Sequence, residues 1–177
     1  IMCSRSFGAP VTELPTLIEV VSQFVTQVAR KLREQGGLAG AVQVFITTSP
    51  YRRQDRQHAP SATLRLGQAT SDTRVLISAV VRVLRSIFRP GFNYVKAGVM
   101  LVDLQQASHE QPALDVFEPG PSLDAPERNR ASLMSAMDAL NDRFGRGAVT
   151  VASAARRPGP RAHASKQERR SPRFTTR

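Results

Sequence analysis

The acidic and nucleophilic residues of this 177-residue chain are scattered along it and form no cluster. Asp55, Asp72 and Asp103 fall in an expected loop, at an expected helix start and at an expected strand end. We see no pair of them fit to hold the two Mg²⁺ ions of a two-metal site. The sequence also has no glycine-rich phosphate loop and no Ser/His/Asp or Cys/His set. We therefore predict no catalytic residue, no metal ligand and no cofactor in this chain.

The histidines and the single cysteine point away from metal and redox chemistry. His58, His109 and His163 stand far apart in expected loops, and we interpret them as exposed and inert. Cys3 has no partner for an internal disulfide, and metal clusters need several Cys or His at short spacing. With no secretory leader at its start and no apolar run near 18 residues, the chain is expected in a reducing cytoplasm, away from membranes. Because it begins with Ile1, we interpret it as a piece of a longer protein.

The basic residues carry the clearest functional signal. The net charge of +11 is uneven: residues 1–110 carry 13 Lys/Arg against 7 Asp/Glu, residues 111–147 carry 4 against 6, and residues 148–177 carry 8 against 1. Two basic blocks around a mildly acidic one indicate a polyanion partner, most simply nucleic acid. The alternative is a solvated basic surface. The candidate phosphate contacts are Arg5, Ser6, Arg52, Arg53, Arg65 and Lys96.

Hydrophobic periodicity predicts the elements that position these residues. The order is β-α-β-β-α-β, an α+β domain with a four-stranded sheet, both helices on one face and the other face open. The strands are expected at 1–8, 41–48, 63–66 and 94–104, and Asp72 is the expected N-cap of the second helix. The two helices bury apolar stripes at three- and four-residue spacing. The stripes are Leu17, Val20, Val21, Phe24, Val25, Val28 and Leu32, then Val75, Leu76, Ala79, Val80, Val83, Leu84 and Ile87.

The open face of this sheet is the expected binding surface, since it carries Arg65 and Lys96. Phe45 is out of phase with the buried valines of its strand, so it could stack on a base there. We favour packing of its ring under a neighbouring loop or against another domain. A reader of RNA places paired aromatics on central strands, whereas this chain offers Phe45 and Tyr94 at plausible outer positions.

The character of the sequence changes after the last strand. Residues 108–126 form a proline-rich linker, residues 127–155 form a helical extension, and residues 156–177 form a basic tail too polar to fold alone. The helix of the extension is expected at 127–144, and 148–152 could add a strand. We assign the apolar stripe of this helix to the core. The stripe is Leu133, Met134, Met137, Leu140 and Phe144.

Six segments occur in an order that resembles a known family. They are SRSFG at 4–8, VFITTS at 44–49, TSDT at 70–73, KAGVML at 96–101, LNDRFGRG at 140–147 and SPRFTTR at 171–177. Together they resemble the C-terminal portion of the UmuC-like Y-family translesion DNA polymerases, the catalytic subunit class of DNA polymerase V. The resemblance implies that residues 1–107 are a little-finger DNA-binding domain acting in SOS-type repair and mutagenesis. It also implies that the Mg²⁺-holding carboxylates lie in a palm domain outside this chain, which is then no enzyme by itself.

The linker contains a stretch similar to the clamp-binding peptide of this family, in which a Gln leads to a Leu and a Phe. The match sets Gln111, Leu114 and Phe117 as contacts to a sliding clamp. It is imperfect, because either Ala113 replaces the Gln or two residues follow Gln111 before the Leu. The alternative is a pin that holds the linker to the domain.

The resemblance implies four partners: template-primer duplex DNA, the sliding clamp, a UmuD-type accessory subunit and a RecA-type filament. The alternative function is a free-standing ferredoxin-like module that binds RNA.

Overall fold

The computed structural model describes residues 1–52, 54–107 and 127–154. The α+β order predicted from the sequence is confirmed, and no helix of the described part is long and apolar enough to cross a membrane. In chain order the elements are β1 (Met2–Val11), α1 (Leu14–Glu34), β2 (Gly37–Thr48), β3 (Ser61–Thr70), α2 (Thr73–Ile87), β4 (Tyr94–Gln106) and α3 (Glu127–Phe144), followed by a 3₁₀ turn at Ala152–Ala154.

The four strands form one antiparallel sheet in the order β1-β4-β2-β3. β4 pairs with both β1 and β2, and β2 pairs with β3 as the predicted hairpin. β3 is longer than predicted because its pairing resumes after an irregularity: Ala41 lies opposite Arg65, whereas Ala39 lies opposite Thr70. Backbone pairing between β2 and β3 therefore extends beyond residues 63–66, whose alternating side chains predicted the strand.

α1 and α2 pack on one face of this sheet, as predicted. The seven predicted stripe residues of α1 are each at most 3% exposed. They share one core cluster with Val42, Val44 and Ile46 of β2, which are fully buried. Burying one such side chain contributes about 1.5–3 kcal/mol, so this apolar layer dominates the stability of the domain.

The start of α2 is capped as the sequence predicted. The Asp72 carboxylate accepts a hydrogen bond from the backbone N–H of Arg74 at 2.8 Å. Burial alone would raise the pKa of Asp72, but the hydrogen bonds from Arg74 outweigh it and hold the pKa below its ordinary value. One stripe residue of α2 was predicted wrongly, because Val75 is 37% exposed and Ile77 is buried in its place. Two adjacent residues, Leu76 and Ile77, face the interior, since the helix is flanked by both the sheet and α1.

α3 is a helix as predicted, but the assignment of its apolar stripe to the core was wrong. Met134 is 2% exposed, whereas Leu133 is 40%, Leu140 is 41% and Phe144 is 65% exposed. The spacing of the stripe is helical, yet no apolar layer of the described chain covers these three side chains. Amphipathic periodicity alone therefore did not determine burial.

Ion pairs hold α3 against the domain. Arg33 of α1 donates from Nε and Nη2 to the two Asp138 oxygens at 2.7 and 2.8 Å. Its Nη1 donates to the Ser71 carbonyl at 2.8 Å, just before α2. Arg30 donates to Asp142 at 2.5 Å. One arginine thus links the end of α1, the approach to α2 and the middle of α3.

The strand expected at 148–152 was also wrong. The Asn141 side chain donates to the Val149 carbonyl at 2.9 Å, and its oxygen accepts from the backbone N–H groups of Gly147 and Val149. These bonds occupy the main-chain groups that a strand would need. The segment folds back along α3 and ends in the 3₁₀ turn.

Candidate nucleic-acid interface

The face of the sheet turned away from α1 and α2, here called the open face, follows from strand pairing. Residues directly opposite each other on neighbouring strands place their side chains on the same face. Four rows result, and none of their residues is acidic. The rows are Ser6–Lys96–Thr47, Ser4–Gly98–Phe45–Ser61, Met2–Met100–Gln43–Thr63 and Val102–Ala41–Arg65.

Arg65 and Lys96 share the open face, as the sequence predicted, but lie at its opposite ends, Arg65 on the edge strand β3 and Lys96 on the interior strand β4. Three rows and two strands separate them, which corresponds to roughly 20–25 Å. Both side chains are exposed, and neither forms an ion pair with the described residues. Two unneutralised cations therefore mark the two ends of an uncharged surface.

The ring of Phe45 lies on this face, over Gly98 of the neighbouring strand. A Cβ at Gly98 would lie 2.2 Å from the Phe45 Cζ atom, so the ring needs a glycine beneath it. The Lys96 ammonium lies 5.9 Å from the ring centroid, within the range of a cation–π contact. The ring thus packs on β4 rather than under a neighbouring loop, and its packing against another domain stays a prediction.

Tyr94 was expected at an outer position, and the structure corrects this. An irregularity between Thr47 and Thr48 shifts the register so that Tyr94 turns inward and is fully buried. Its hydroxyl accepts from the Arg89 N–H at 3.1 Å and lies 2.8 Å from Nδ1 of His58. Burial raises the pKa of Tyr94. Of the two aromatics expected on the open face, Phe45 alone is there, which weakens the RNA-reader alternative.

The prediction that His58 is exposed was wrong, because its ring is partly buried. Besides its contact to Tyr94, the imidazole stacks on Phe92 with 4.7 Å between ring centroids. Burial lowers the pKa of His58, and the nearby Arg89 charge lowers it further. This contact fastens the β2–β3 loop to the turn that follows α2. His109 and His163 lie outside the described residues.

The β2–β3 loop presents Arg52 to solvent. The side-chain amide of Gln57 donates to the carbonyls of Ser49, Arg52 and Asp55 at 3.0, 3.2 and 3.0 Å. Arg52 is 54% exposed and lies 3.9 Å from Asp55. Gln57 was missed from the sequence, because a side chain that organises a loop through carbonyls has no spacing signature. Arg53 lies outside the described residues.

Arg5 and Ser6, predicted as neighbours in one site, lie on different faces. Ser6 shares its row with Lys96, whereas Arg5 lies opposite Ala97 on the helix-covered face. Cys3 lies on the same face as Arg5 and donates from Sγ to Gln27 of α1 at 3.5 Å, so this face is the one that the helices cover. Desolvation on that side raises the pKa of the Cys3 thiol. Ser6 and Lys96 are thus brought together, and Arg5 is separated from them.

The carboxylates occupy three separate places. Asp55 accepts from the Asn93 amide, Asp72 caps α2, and Asp103 lies in β4. No three His, Cys, Asp or Glu residues of the described ranges come together as a metal site would require. The predicted clamp contacts Gln111, Leu114 and Phe117 lie outside the described residues.

Comparison with known proteins gives matches along the whole chain. Residues 1–114 match the model of the impB/mucB/samB family C-terminal domain, and residues 131–177 match a domain of unknown function, DUF4113. The chain is 35% identical to Protein UmuC of Salmonella typhimurium over 177 residues, which is all of this chain and 40% of the relative. It is 38% identical to Protein MucB of Escherichia coli over 143 residues, covering 81% of this chain and 32% of the relative. The chain thus spans two fifths or less of the length of these relatives.

One similar solved structure is the complex of the beta-clamp processivity factor and the little finger domain of PolIV. The match has a TM-score of 0.40 and 13% identity, and it covers 64% of this chain and 96% of that chain.

Proposed function

The chain belongs to the impB/mucB/samB family, and from this membership we propose that it is the DNA-gripping part of an error-prone translesion DNA polymerase. The resemblance to UmuC-like polymerases that the six segments indicated is confirmed at the level of the family. The observation that most supports DNA binding is the open face, whose four rows include Lys96 and Arg65 and no carboxylate.

In this proposal the template-primer duplex lies against the open face. Lys96 and Arg65 contact phosphates at its two ends, and the exposed Arg52 extends the cationic end formed by Lys96. At 3.4 Å of axis per phosphate on each strand, the roughly 20–25 Å between Lys96 and Arg65 cover roughly six or seven base pairs. The small side chains of Ser4 and Ser6 lie on the same face and let the backbone of β1 approach the DNA closely.

Contacts to phosphates position a protein without reading bases, which suits an enzyme that must move along any template. The two interior rows of the face carry no charged side chain that could discriminate base edges, and their polar side chains are short apart from that of Gln43. Phe45 adds one surface on which an unpaired base could stack. We propose binding without sequence preference.

The remaining parts of the proposal concern groups outside the described residues. Gln111, Leu114 and Phe117 would tether the chain to a sliding clamp, and a UmuD-type subunit and a RecA-type filament would assemble with the complete polymerase. Nucleotide transfer and its Mg²⁺ ions would belong to the palm domain, so this chain alone would incorporate no nucleotide. Its action would take place in the cytoplasm.

Binding to random duplex DNA as a function of salt tests the grip. We expect a log–log slope on the order of −4 to −5, because four to six phosphates are contacted. Changing Lys96→Ala and Arg65→Ala should each reduce the slope by about one unit. Lys31→Ala is the matched control, since Lys31 is an exposed cation of α1 on the covered side. An affinity independent of salt, or a strong preference among random duplexes, contradicts the proposal.

A further inference from the structure

A second row of cations lies on the opposite side of the domain. Helix α2 contains arginines and no Asp or Glu between Thr73 and Ile87. Arg82 and Arg85 are exposed on its outer surface, and Arg89 continues the row just beyond its end. We call these three arginines the α2 stripe, as distinct from the apolar stripe that this helix buries.

Several other arginines of the helical layer form ion pairs with carboxylates. Arg30 and Arg33 of α1 bind Asp142 and Asp138, and Arg74 at the start of α2 binds Asp72. Within the described ranges no carboxylate lies within ion-pair distance of the α2 stripe. Like charges three or four residues apart destabilise a helix slightly, although Arg85, in the last turn of α2, also interacts favourably with the helix dipole.

The α2 stripe cannot be reached by a duplex that rests on the open face. α2 packs over β2 and β3 on the covered side, so the sheet and the full width of the helix lie between the two surfaces. A helix with side chains is about 10–12 Å wide, and its packing distance from a sheet is about 10 Å. We propose that the α2 stripe binds the phosphates of a second nucleic-acid segment, a function beyond the grip of the open face.

Nucleic acid fits this surface better than a protein does. Protein interfaces depend on buried aromatic or apolar anchors, and the one large apolar side chain of α2 that is prominently exposed, Val75, lies at the far end of the helix. From Arg82 to Ile87 the helix rises about 7.5 Å, and the two residues up to Arg89, beginning with the extended Phe88, add at most about 7 Å. A nucleic-acid strand carries a phosphate about every 3.4 Å of axis, so about three phosphates fall within that length. Guanidinium groups bind such oxygens through paired hydrogen bonds.

Bridging of two DNA molecules tests the inference on the full chain. Two short duplexes of unrelated sequence, one with a donor dye and one with an acceptor, are mixed with the protein and energy transfer is measured. The variant Arg82→Glu with Arg85→Glu is compared with Lys31→Glu with Arg146→Glu, which changes the net charge equally at exposed cations elsewhere. All variants keep the basic residues 156–177, so their contribution is the same in each.

We expect the parent and the control to bridge the duplexes, and the α2 variant to bind the second duplex roughly tenfold more weakly or worse. Its salt slope for the second binding step should fall by about two units. Equal bridging by the α2 variant and the control overturns the inference, as does a parent that binds one duplex and never bridges. An acidic protein as the true ligand would give the first of these results.

The failure of this inference is distinguishable from failure of the open-face grip. Lys96→Ala with Arg65→Ala should weaken the first binding step and leave the α2 stripe intact. Circular dichroism and thermal melting check that the variants fold. Arg82→Gln with Arg85→Gln repeats the comparison with uncharged, helix-compatible side chains.

Discussion

The sheet with α1 and α2 is held together by different forces from the parts attached to it, namely α3 and the β2–β3 loop. Leu17 and Val20 of α1 are fully buried in an apolar layer. α3 contributes Met134 to its contact and otherwise depends on Arg33 and Arg30. The loop depends on polar contacts of His58 and Gln57. The comparison teaches that the domain is stabilised by apolar burial, whereas the attachments are positioned by charge and hydrogen bonds.

The largest effect should come from a cavity in the apolar layer. Leu84 of α2 is fully buried. Leu84→Ala removes buried methyl groups and leaves space behind, so we expect the free energy of unfolding to fall by about 2–5 kcal/mol in chemical denaturation. The control is Leu133→Ala on α3, a residue 40% exposed, with an expected change within about 0.5 kcal/mol. A loss at Leu133 as large as at Leu84 would break the comparison.

A smaller effect, confined to α3, should follow from Asp138→Asn. The pair with Arg33 is 15% and 24% exposed, and its loss leaves a half-buried guanidinium short of a partner. We expect α3 docking to weaken by about 1–3 kcal/mol, seen as faster hydrogen exchange of α3 amides while the melting of the domain is unchanged.

Asp142→Asn is the matched control for this prediction. Asp142 is 62% exposed, so water screens its pair with Arg30, and hydrogen exchange of the α3 amides should stay close to that of the parent. If Asp138→Asn lowers the melting of the whole domain, α3 belongs to the core and the distinction between the two regions fails.

The smallest effect should be a pH dependence at the β2–β3 loop. The pKa of His58 is lowered on folding from 6.5, so the unfolded chain takes up a proton first as the pH falls. Above about pH 6.5 the contribution of neutral His58 to the free energy of unfolding is fully present. This contribution is lost as the pH falls toward the pKa of His58 in the folded protein. Melting temperatures measured across pH 5–8 should show a decline toward pH 5 that His58→Gln reduces. If the melting temperature of that variant declines as much as that of the parent, the pH dependence belongs to other groups.

Periodicity predicted most of the core because a sheet covers one side of each helix. The apolar stripe of α1 follows from local spacing and the Asp72 cap from local hydrogen bonding, and both were found. The same periodicity was misleading for Leu140 of α3, because spacing does not show whether a second layer is present. Strand alternation likewise identified Lys96 but not Tyr94, since one register irregularity reverses the side chain beyond it.

The candidate site was predictable in its charges and less so in its geometry. Lys96 and Arg65 were identified on one face, but their separation depends on which strands are neighbours, and that is a property of the whole sheet. Arg5 was named with Ser6 among the phosphate contacts, although adjacent strand residues point to opposite faces. Gln57 was invisible because its role depends on three carbonyls that converge only in the folded loop.

The strand order also has a consequence for how the domain assembles in time. β2 and β3 are joined by a hairpin and can pair early, whereas Met2 of β1 meets Met100 of β4 across nearly the whole length of the domain. Contacts distant in sequence form slowly, because a long loop must close before any pairing is gained. We infer that β1 adds last, to a nucleus built from the later strands. The edge of the open face that carries Ser6 would then be completed only when folding ends.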